Sequence, residues 1–315
     1  MIPERPPALP SQPPFDARGA VISPVTLKPS VEPIEEFSSQ RIIELYREQL
    51  KLDVRRCFRG MDKVLLYRCK DTLYRFFYPA IVGDESFYLD LQKTGTYYRD
   101  WNWENEIAAR HVRPEQALLE VGCGLGAFLE GVRSQCASVS AIEFNPGLIE
   151  LIRQKGIPIF NQSIQEHAKS HRDQYDLICA FQVLEHVPEV NSFITSALSC
   201  LRKGGNLILS VPNSDPYYYK YDKYHVLNLP PHHVGLWNKV ALANLSKVFD
   251  VEVEPVRVEP QFALKQQLLV IGHHRQNAAL VRLAELIPPL VEKVLVRTLG
   301  RFIPGRNLVA VFTKR

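Results

Sequence analysis

The stretch LLEVGCGLGAFLEG, residues 118–131, decides the fold of this chain of 315 residues. An apolar run carries one acid, Glu120, and glycines then occupy positions 122, 124 and 126 before a second apolar segment begins. Glycine weakens strands and helices alike, so a series of glycines needs a reason. The usual reason is the close approach of a ligand to backbone N–H groups at the start of a helix. The stretch therefore predicts a strand, a ligand-binding turn and a helix.

From Pro114 onward, apolar segments that read as strands alternate with helical segments. The predicted strands are ALLEVG, SVSAIEF, IPIFNQ, YDLICAF and NLILSVP. Nearly continuous apolar strands separated by helices are typical of a parallel sheet with helices on both faces. Two later strands, FDVEVEPVRV and NLVAVFTKR, are predicted on either side of a helical insertion at about residues 272–303. The pattern predicts an α/β protein with a doubly wound sheet.

The glycine turn by itself leaves two ligand classes open. Residues 122–127 fit the loose dinucleotide pattern G-x-G-x-x-G/A, and Glu143 follows about 20 residues on, where a ribose-binding acid is expected. However, Glu120 lies two residues before the first glycine, where a carboxylate suits an ammonium group better than a pyrophosphate. The two late strands also differ from the second half of a dinucleotide fold.

Four motifs resemble those of the class I S-adenosylmethionine-dependent methyltransferases. LLEVGCGLG is similar to their first motif, in which an acid precedes G-x-G-x-G, and AIEFNP to their acid-ended second strand. YDLICAFQVLEHVPEV resembles the fourth strand with the turn after it, and LRKGGNLILSVPN the glycine pair and fifth strand. The resemblance implies a methyltransferase domain over residues 113–315. Its expected fold is a Rossmann-like sheet of seven mostly parallel strands, the last one antiparallel.

The resemblance also implies S-adenosyl-L-methionine as the cofactor. Glu120 would hold its amino group, and Glu143 would accept hydrogen bonds from two ribose hydroxyls, unless Glu143 instead caps the following helix. Many members carry an acid after the third strand to meet the adenine, whereas Asn161 or Gln162 takes that place here. The predicted cofactor-binding residues are Glu120, Gly122, Cys123, Gly124, Gly126, Glu143, Phe144, Gln162, Ser163, Phe181 and Gln182.

A hydroxyl acceptor must lose a proton, so a base is expected at the carboxyl edge of the sheet, where open α/β folds bind ligands. His232 and His233 in PPHHVGLW, and His186 in LEHV, are the predicted catalytic residues, because imidazole titrates near neutral pH. The first two belong to residues 212–238, whose five tyrosines and three histidines predict a substrate lid and not a core segment. The alternative is that these histidines only anchor the lid or cap a helix.

The predicted function is methylation of a hydroxyl on a small molecule, a sugar or a surface glycan, by in-line transfer from the sulfonium. A nicotinamide-dependent oxidoreductase and a non-catalytic binding protein with the same fold remain alternatives. Nucleic acid is not an expected partner, because no N-P-P-[YF] tetrad follows the fourth strand and no basic stripe is interleaved with aromatics. The acceptor and the oligomeric state do not follow from the sequence.

Two regions precede the predicted methyltransferase domain. Residues 1–34 hold nine of the 23 prolines and predict a disordered tail, and residues 35–112 predict a small α+β accessory module. This module resembles the front part of bacterial methyltransferases that carry a zinc ribbon there. Cys57 and Cys69 each stand alone, without a C-x-x-C pair, so no metal site is expected. Tyr97, Tyr98 and Trp103 are predicted to close the cofactor cleft, or else to be only buried.

Charge is unevenly distributed along the chain. The net charge is +4, yet residues 273–315 carry eight Lys/Arg against two Glu. This basic region predicts weak contact with an anionic membrane surface, although a solvated helix face is the alternative. The sequence contains no apolar run long enough for a transmembrane helix and no secretory signal, so a cytoplasmic location with reduced cysteines is expected.

Overall fold

Twelve strands are present in the computed structural model, which describes residues 19–93, 101–215, 225–260, 265, 268–269, 271–272, 276–299 and 304–315. They are β1 (Val31–Ser38), β2 (Lys63–Cys69), β3 (Arg75–Tyr78), β4 (Ala117–Val121), β5 (Ser138–Ile142), β6 (Ile159–Phe160), β7 (Tyr175–Phe181), β8 (Leu201–Pro212), β9 (Gly235–Leu236), β10 (Val251–Val253), β11 (Arg257–Pro260) and β12 (Pro304–Lys314).

The helices described between these strands are α1 (Ser39–Leu50), α2 (Glu85–Gln92), α3 (Trp103–Ala109), α4 (Ala127–Val132), α5 (Pro146–Gln154), α6 (Ile164–His167), α7 (Val190–Cys200), α8 (Lys239–Ala243), α9 (Ala278–Leu286) and α10 (Pro289–Leu299). A 3₁₀ turn, Leu184–His186, follows β7, and another, Val226–Asn228, precedes β9. Helices α9 and α10 lie within the predicted insertion. No helix in the described part of the chain is long and apolar enough to cross a membrane.

The main sheet has the strand order β10-β12-β8-β7-β4-β5-β6, and β11 pairs with β12 off this path. The five strands β4 to β8 run parallel, whereas β12 is antiparallel to β8. Leu118 and Leu119 of β4 are completely buried in two different apolar clusters, because successive side chains of a strand point to opposite faces. The predicted fold, a mostly parallel doubly wound sheet with an antiparallel last strand, is confirmed, but among the described residues the sheet has eight strands instead of the predicted seven, because the predicted strand FDVEVEPVRV is divided into β10 and β11.

A second, antiparallel sheet lies in the N-terminal region, with the order β1-β2-β3-β9. Its last strand comes from residues beyond β8, since Arg75 pairs with Leu236 and Phe76 with Gly235. The ring centroids of Tyr74 and Trp237 are only 4.1 Å apart, next to this edge. The predicted accessory module is therefore completed by a strand from the predicted methyltransferase domain.

The prediction that residues 212–238 are too polar for the core is wrong for the part that the structure describes, residues 212–215 and 225–238. Leu229, Leu236 and Trp237 are buried, and so are His232 and His233. The prediction failed because the segment runs between the two sheets, which supply apolar contacts on both sides. Residues 216–224, with their five tyrosines, lie outside the described residues, as do Tyr97 and Tyr98.

The predicted disordered tail extends too far along the chain. Residues 1–18 lie outside the described residues, but residues 19–34 are packed on the domain, and β1 begins at Val31. Val25 is completely buried, and its carbonyl accepts a hydrogen bond of 2.7 Å from Nδ2 of Asn191. A composition argument based on the prolines of this segment did not predict that Ser23 and Val25 are buried.

Tyr46 ties α1 to the segment before β9. Its buried hydroxyl lies 2.9 Å from the carbonyl oxygens of both Val226 and Leu229, and it accepts from the backbone N–H of His232 at 3.3 Å. These bonds satisfy backbone groups that have no access to water, so the hydroxyl positions the histidine segment.

The substitution Tyr46→Phe tests this tie. It removes the hydroxyl group while keeping the ring, so the buried carbonyls of Val226 and Leu229 lose one of their hydrogen-bond donors. We expect a loss of about 1–3 kcal/mol in the free energy of unfolding, measured by urea denaturation. Tyr67→Phe, on the partly exposed side of β2, is the control and should lose less than about 0.5 kcal/mol. Equal losses in the two variants would contradict the assignment.

Candidate active site

The glycine turn follows β4 at the carboxyl edge of the main sheet. Gly122 and Gly126 have φ values of +74° and +76°, in the left-handed region that glycine adopts without strain. A Cβ atom on Gly122 would lie 2.6 Å from Cγ2 of Val183, and one on Gly126 would lie 2.4 Å from Cδ1 of Ile152. Backbone conformation and packing thus both exclude a side chain. The turn brings bare main chain to the start of α4.

Glu120 lies within β4, between β5 and β7, and its side chain is 4% exposed. Its Oε2 atom makes no hydrogen bond. Burial, together with the nearby negative charge of Glu143, raises the pKa of Glu120 well above its usual range. A buried carboxyl of this kind is stabilised in its charged form by a cation, so the residue is suited to an ammonium group.

Glu143 directly follows β5, and the backbone holds its carboxylate in place. Its Oε2 accepts from Gly124 N at 3.1 Å, and its Oε1 accepts from the N–H groups of Phe144 and Asn145 at 2.8 and 3.0 Å. The alternative role for Glu143, a cap of α5, is wrong because the side chain of Asn145 caps that helix. A carboxylate has about four acceptor positions, and three are used here. One position, on Oε2, remains for a hydroxyl, so a contact of each carboxylate oxygen with a ribose hydroxyl requires one of the two N–H donors on Oε1 to be displaced.

Gln162 and Ser163 follow β6 at the same edge. Nε2 of Gln162 lies 2.7 Å from Nδ1 of His167, which leaves the amide oxygen of Gln162 as its acceptor. The hydroxyl of Ser163 caps α6 by accepting from Glu166 N, so its part in the predicted adenine site would fall to the backbone.

The other predicted cofactor residues differ widely in environment. Phe181 ends β7 and packs edge-on against Phe128, with ring centroids 5.0 Å apart. Gln182 has a left-handed backbone, and its amide points away from the turn toward Ser210, at 2.9 Å. Cys123 is buried, and Phe144 is 61% exposed beside Glu143. Strands β4, β5, β6 and β7 are parallel, so their carboxyl ends bring all these residues to one edge of the sheet.

The three predicted catalytic histidines form one cluster. His186 ends the turn after β7, and its Nδ1 donates to the backbone oxygen of His232 at 2.6 Å. The rings of His232 and His233 stack with centroids 4.3 Å apart, and both contact His186 edge-on. Burial lowers the pKa of His186 to about 4 and lowers the pKa values of His232 and His233 further below the usual range. All three imidazoles are therefore neutral near pH 7.

Sequence reasoning missed the residues around this cluster. The Tyr88 hydroxyl is 3.4 Å from Nδ1 of His186, and Oε1 of Glu185 is 3.9 Å from Nε2 of His186. Glu185 stands next to His186 in the motif LEH and could have been noticed there, whereas nothing in the sequence relates Tyr88 to the cluster. Val183, three residues before His186, contacts Gly122 and so connects the histidines to the glycine turn.

A family model described as a methyltransferase domain matches residues 98–256, about half of the chain. The chain belongs to this methyltransferase family. The resemblance to class I S-adenosylmethionine-dependent methyltransferases is thereby confirmed, as is S-adenosylmethionine as the cofactor. The individual residue assignments stay predictions.

Curated relatives of this methyltransferase-family chain are described as ubiquinone biosynthesis O-methyltransferases. One from Xanthomonas campestris pv. campestris is 32% identical over 116 residues, which are 35% of this chain and 48% of the relative. One from Marinobacter nauticus is 30% identical over 132 residues, 38% of this chain and 56% of the relative. The chain thus spans about half the length of the curated relatives it matches.

A solved structure supports the fold alone. It is a complex between the Haloferax volcanii Trm112 methyltransferase activator and a methyltransferase. The TM-score is 0.50 at 13% identity, with 74% of this chain and 98% of that chain covered.

The raised pKa of Glu120 predicts how stability depends on pH. The unfolded chain releases the Glu120 proton near the ordinary value of 4.5, whereas the folded chain holds it to higher pH. The free energy of unfolding should therefore fall as the pH rises above 4.5, by up to about 1.4 kcal/mol per pH unit, until the folded pKa is passed. In Glu120→Gln this fall should be smaller, as measured by urea denaturation at about pH 5 and about pH 8.

The comparison isolates Glu120 because the other titrating groups are common to both proteins. Glu150→Gln, an exposed substitution on α5, is the matched control and should keep the wild-type slope. If the free energy of unfolding falls with pH in Glu120→Gln as steeply as in the wild type, ionisation of Glu120 does not cause the pH dependence.

Proposed function

We propose that this chain transfers a methyl group from S-adenosylmethionine to a hydroxyl oxygen of a small molecule, a sugar or a glycan. The observation that carries the proposal is the pairing of buried Glu120 with backbone-held Glu143 around the bare turn of Gly122 to Gly126. Two acids beside exposed main chain suit a ligand with a positive charge and ribose hydroxyls.

The same pairing argues against the oxidoreductase alternative. A pyrophosphate near the turn would add negative charge beside a carboxyl whose ionisation is already suppressed by burial and by Glu143. The ammonium group of S-adenosylmethionine would instead compensate the charge of Glu120. The cofactor supplies the reactive methyl group, and the protein's task is to align the acceptor and to take up its proton.

Oxygen as the methylated atom is supported by the curated relatives, which are described as O-methyltransferases. The histidine cluster is our candidate for proton removal, with His232, His233 or His186 as the base. The imidazoles are neutral because burial lowers their pKa values, so each has a ring nitrogen that can accept a proton. His186 follows β7, and its Nδ1 donates to the backbone oxygen of His232, which supports a position of the cluster near the carboxyl edge of the sheet.

Binding of S-adenosylhomocysteine tests the cofactor site. In Glu143→Ala we expect the Kd, measured by calorimetry, to rise about 10- to 100-fold, because a charged hydrogen-bond acceptor for the ribose is lost. Glu143→Gln keeps the shape of the side chain and should show a smaller rise. The control is Glu150→Ala on α5, an exposed acid away from the turn.

An unchanged Kd in Glu143→Ala would overturn the site, provided that the variant melts like the wild type. Binding of NAD(H) without S-adenosylhomocysteine would favour the oxidoreductase instead. Binding without turnover of any hydroxyl acceptor would favour the non-catalytic alternative.

We also propose that α9 and α10 contact an anionic membrane surface. Leu283 and Leu286 of α9 are 58% and 76% exposed, and Leu290 and Val294 of α10 are 74% and 54% exposed. Arg282 and Lys293 are exposed on the same two helices, and residues 273–315 carry six more basic than acidic side chains. Apolar side chains beside basic ones are typical of helices that lie in a membrane interface.

Vesicle co-sedimentation tests the membrane contact. The double variant Leu286→Glu/Leu290→Glu should bind vesicles containing anionic lipid at least about fivefold more weakly, since it removes apolar contacts and adds negative charge. Val240→Glu, at a position 50% exposed on α8, is the control and should bind like the wild type. Equal binding by all three proteins would contradict the proposal.

A further inference from the structure

The geometry points to a binding site for a divalent transition-metal ion of the zinc type, formed by His186, His232 and His233 with Glu185 beside them. In the described part of the chain, these three histidines form a group in which one ligand nitrogen from each ring lies within 4.8 Å of the others. The proposed site does not involve Cys57 and Cys69, the two cysteines considered in the sequence analysis. These two residues lie in separate apolar clusters.

The chain brings these rings together by two independent elements. His186 ends the turn after β7, whereas His232 and His233 follow the turn Val226–Asn228. The hydrogen bond of 2.6 Å from Nδ1 of His186 to the backbone oxygen of His232 joins the two elements. Tyr46 fixes the second element from the other side by accepting from His232 N.

Hydrogen bonds select the ring nitrogens that face a metal. A carbonyl oxygen can only accept, so Nδ1 of His186 is protonated toward His232, and Nδ1 of His232 is protonated toward the oxygen of Leu227, at 3.0 Å. An imidazole that carries its proton on Nδ1 has its lone pair on Nε2, so the Nε2 atoms of His186 and His232 are the ligand atoms. Metal-binding histidines almost always donate their other ring N–H to a carbonyl or a carboxylate, and two rings here do so.

Glu185 is an independent indication of a cation. Its side chain is 1% exposed, Oε2 has no hydrogen-bond partner, and Oε1 lies 3.9 Å from Nε2 of His186. A buried carboxyl without a counter-charge is costly, and a divalent ion between the rings would supply that charge.

The ligand types determine the class of ion. Imidazole nitrogens suit Zn²⁺ and its first-row neighbours, whereas Mg²⁺ and Ca²⁺ prefer an all-oxygen shell. Zinc–nitrogen bonds of about 2.0–2.1 Å in a tetrahedron place the nitrogens about 3.4 Å apart. The ligand nitrogens lie within 4.8 Å of one another, so binding of the ion would draw them together by up to about 1.4 Å.

This site goes beyond the proposed function, because binding of the ion needs neither cofactor nor acceptor. A bound ion would be coordinated by the same ring nitrogens with which a histidine base would accept a proton. With metal bound, the cluster would serve the proposed reaction as a metal centre instead of a free base.

Calorimetry with Zn²⁺ alone, on full-length protein freed of metal by chelator, tests the site. We expect one ion per chain, and Co²⁺ in its place should give the visible absorption of a tetrahedral nitrogen site. His186→Gln and His233→Gln should each raise the Kd for Zn²⁺ at least about 100-fold and abolish the Co²⁺ spectrum, because each removes one of three ligands. Melting curves recorded without metal identify any variant that fails to fold. His186→Gln should disturb the fold least, because His186 is the least buried of the three histidines.

The matched control is His171→Gln. His171 also stacks on a buried histidine, with its ring 3.7 Å from that of His167, but it does not belong to the cluster of ligand nitrogens. This variant should bind Zn²⁺ like the wild type, and so should Glu143→Ala, which separates failure of the metal site from failure of the cofactor site. No heat with Zn²⁺, or equal Kd values in the cluster variants and in His171→Gln, would overturn the inference.

Discussion

The structure depends on one electrostatic constraint, the burial of the Glu120 carboxyl next to Glu143 at the end of a central strand. Glu120 lies in β4, between β5 and β7, and is 4% exposed. Glu143 cannot move away without losing three backbone N–H donors. Two acids held in this way favour a positively charged ligand, since burying a lone carboxylate costs several kcal/mol unless a cation compensates it. The glycine turn, which no side chain can fill, gives that ligand room.

The histidine cluster follows the same principle with a different chemistry. Burial makes the imidazoles neutral and raises the pKa of Glu185, so the cluster also lacks a positive charge. Because Val183 packs on Gly122 and His186 follows three residues later, the two groups belong to one edge of the sheet. Residues 183–186 therefore connect the glycine turn with the histidine cluster.

The N-terminal region contributes to this edge directly. β9 joins the N-terminal sheet immediately after the two adjacent histidines, and Tyr46 of α1 binds the backbone of the same segment. Tyr88 of α2 contacts both His186 and His232, with ring centroids 6.0 and 6.4 Å away. The region is thus a structural support for the histidines. Its role explains why the segment is buried despite a composition that suggested a surface lid.

Local patterns were enough to determine the fold and one side of the site. Apolar strands alternating with helices, and an acid before spaced glycines, act over a few residues each, so the parallel sheet and the cofactor edge followed from the sequence. Three features required the tertiary structure: the grouping of His186 with His232 and His233, the burial of Glu185 among them, and the burial of Val25 in a proline-rich segment. Each depends on contacts between residues that are distant along the chain. Desolvation and ring packing arise only when those distant segments meet, and no periodicity or spacing in the sequence encodes that meeting.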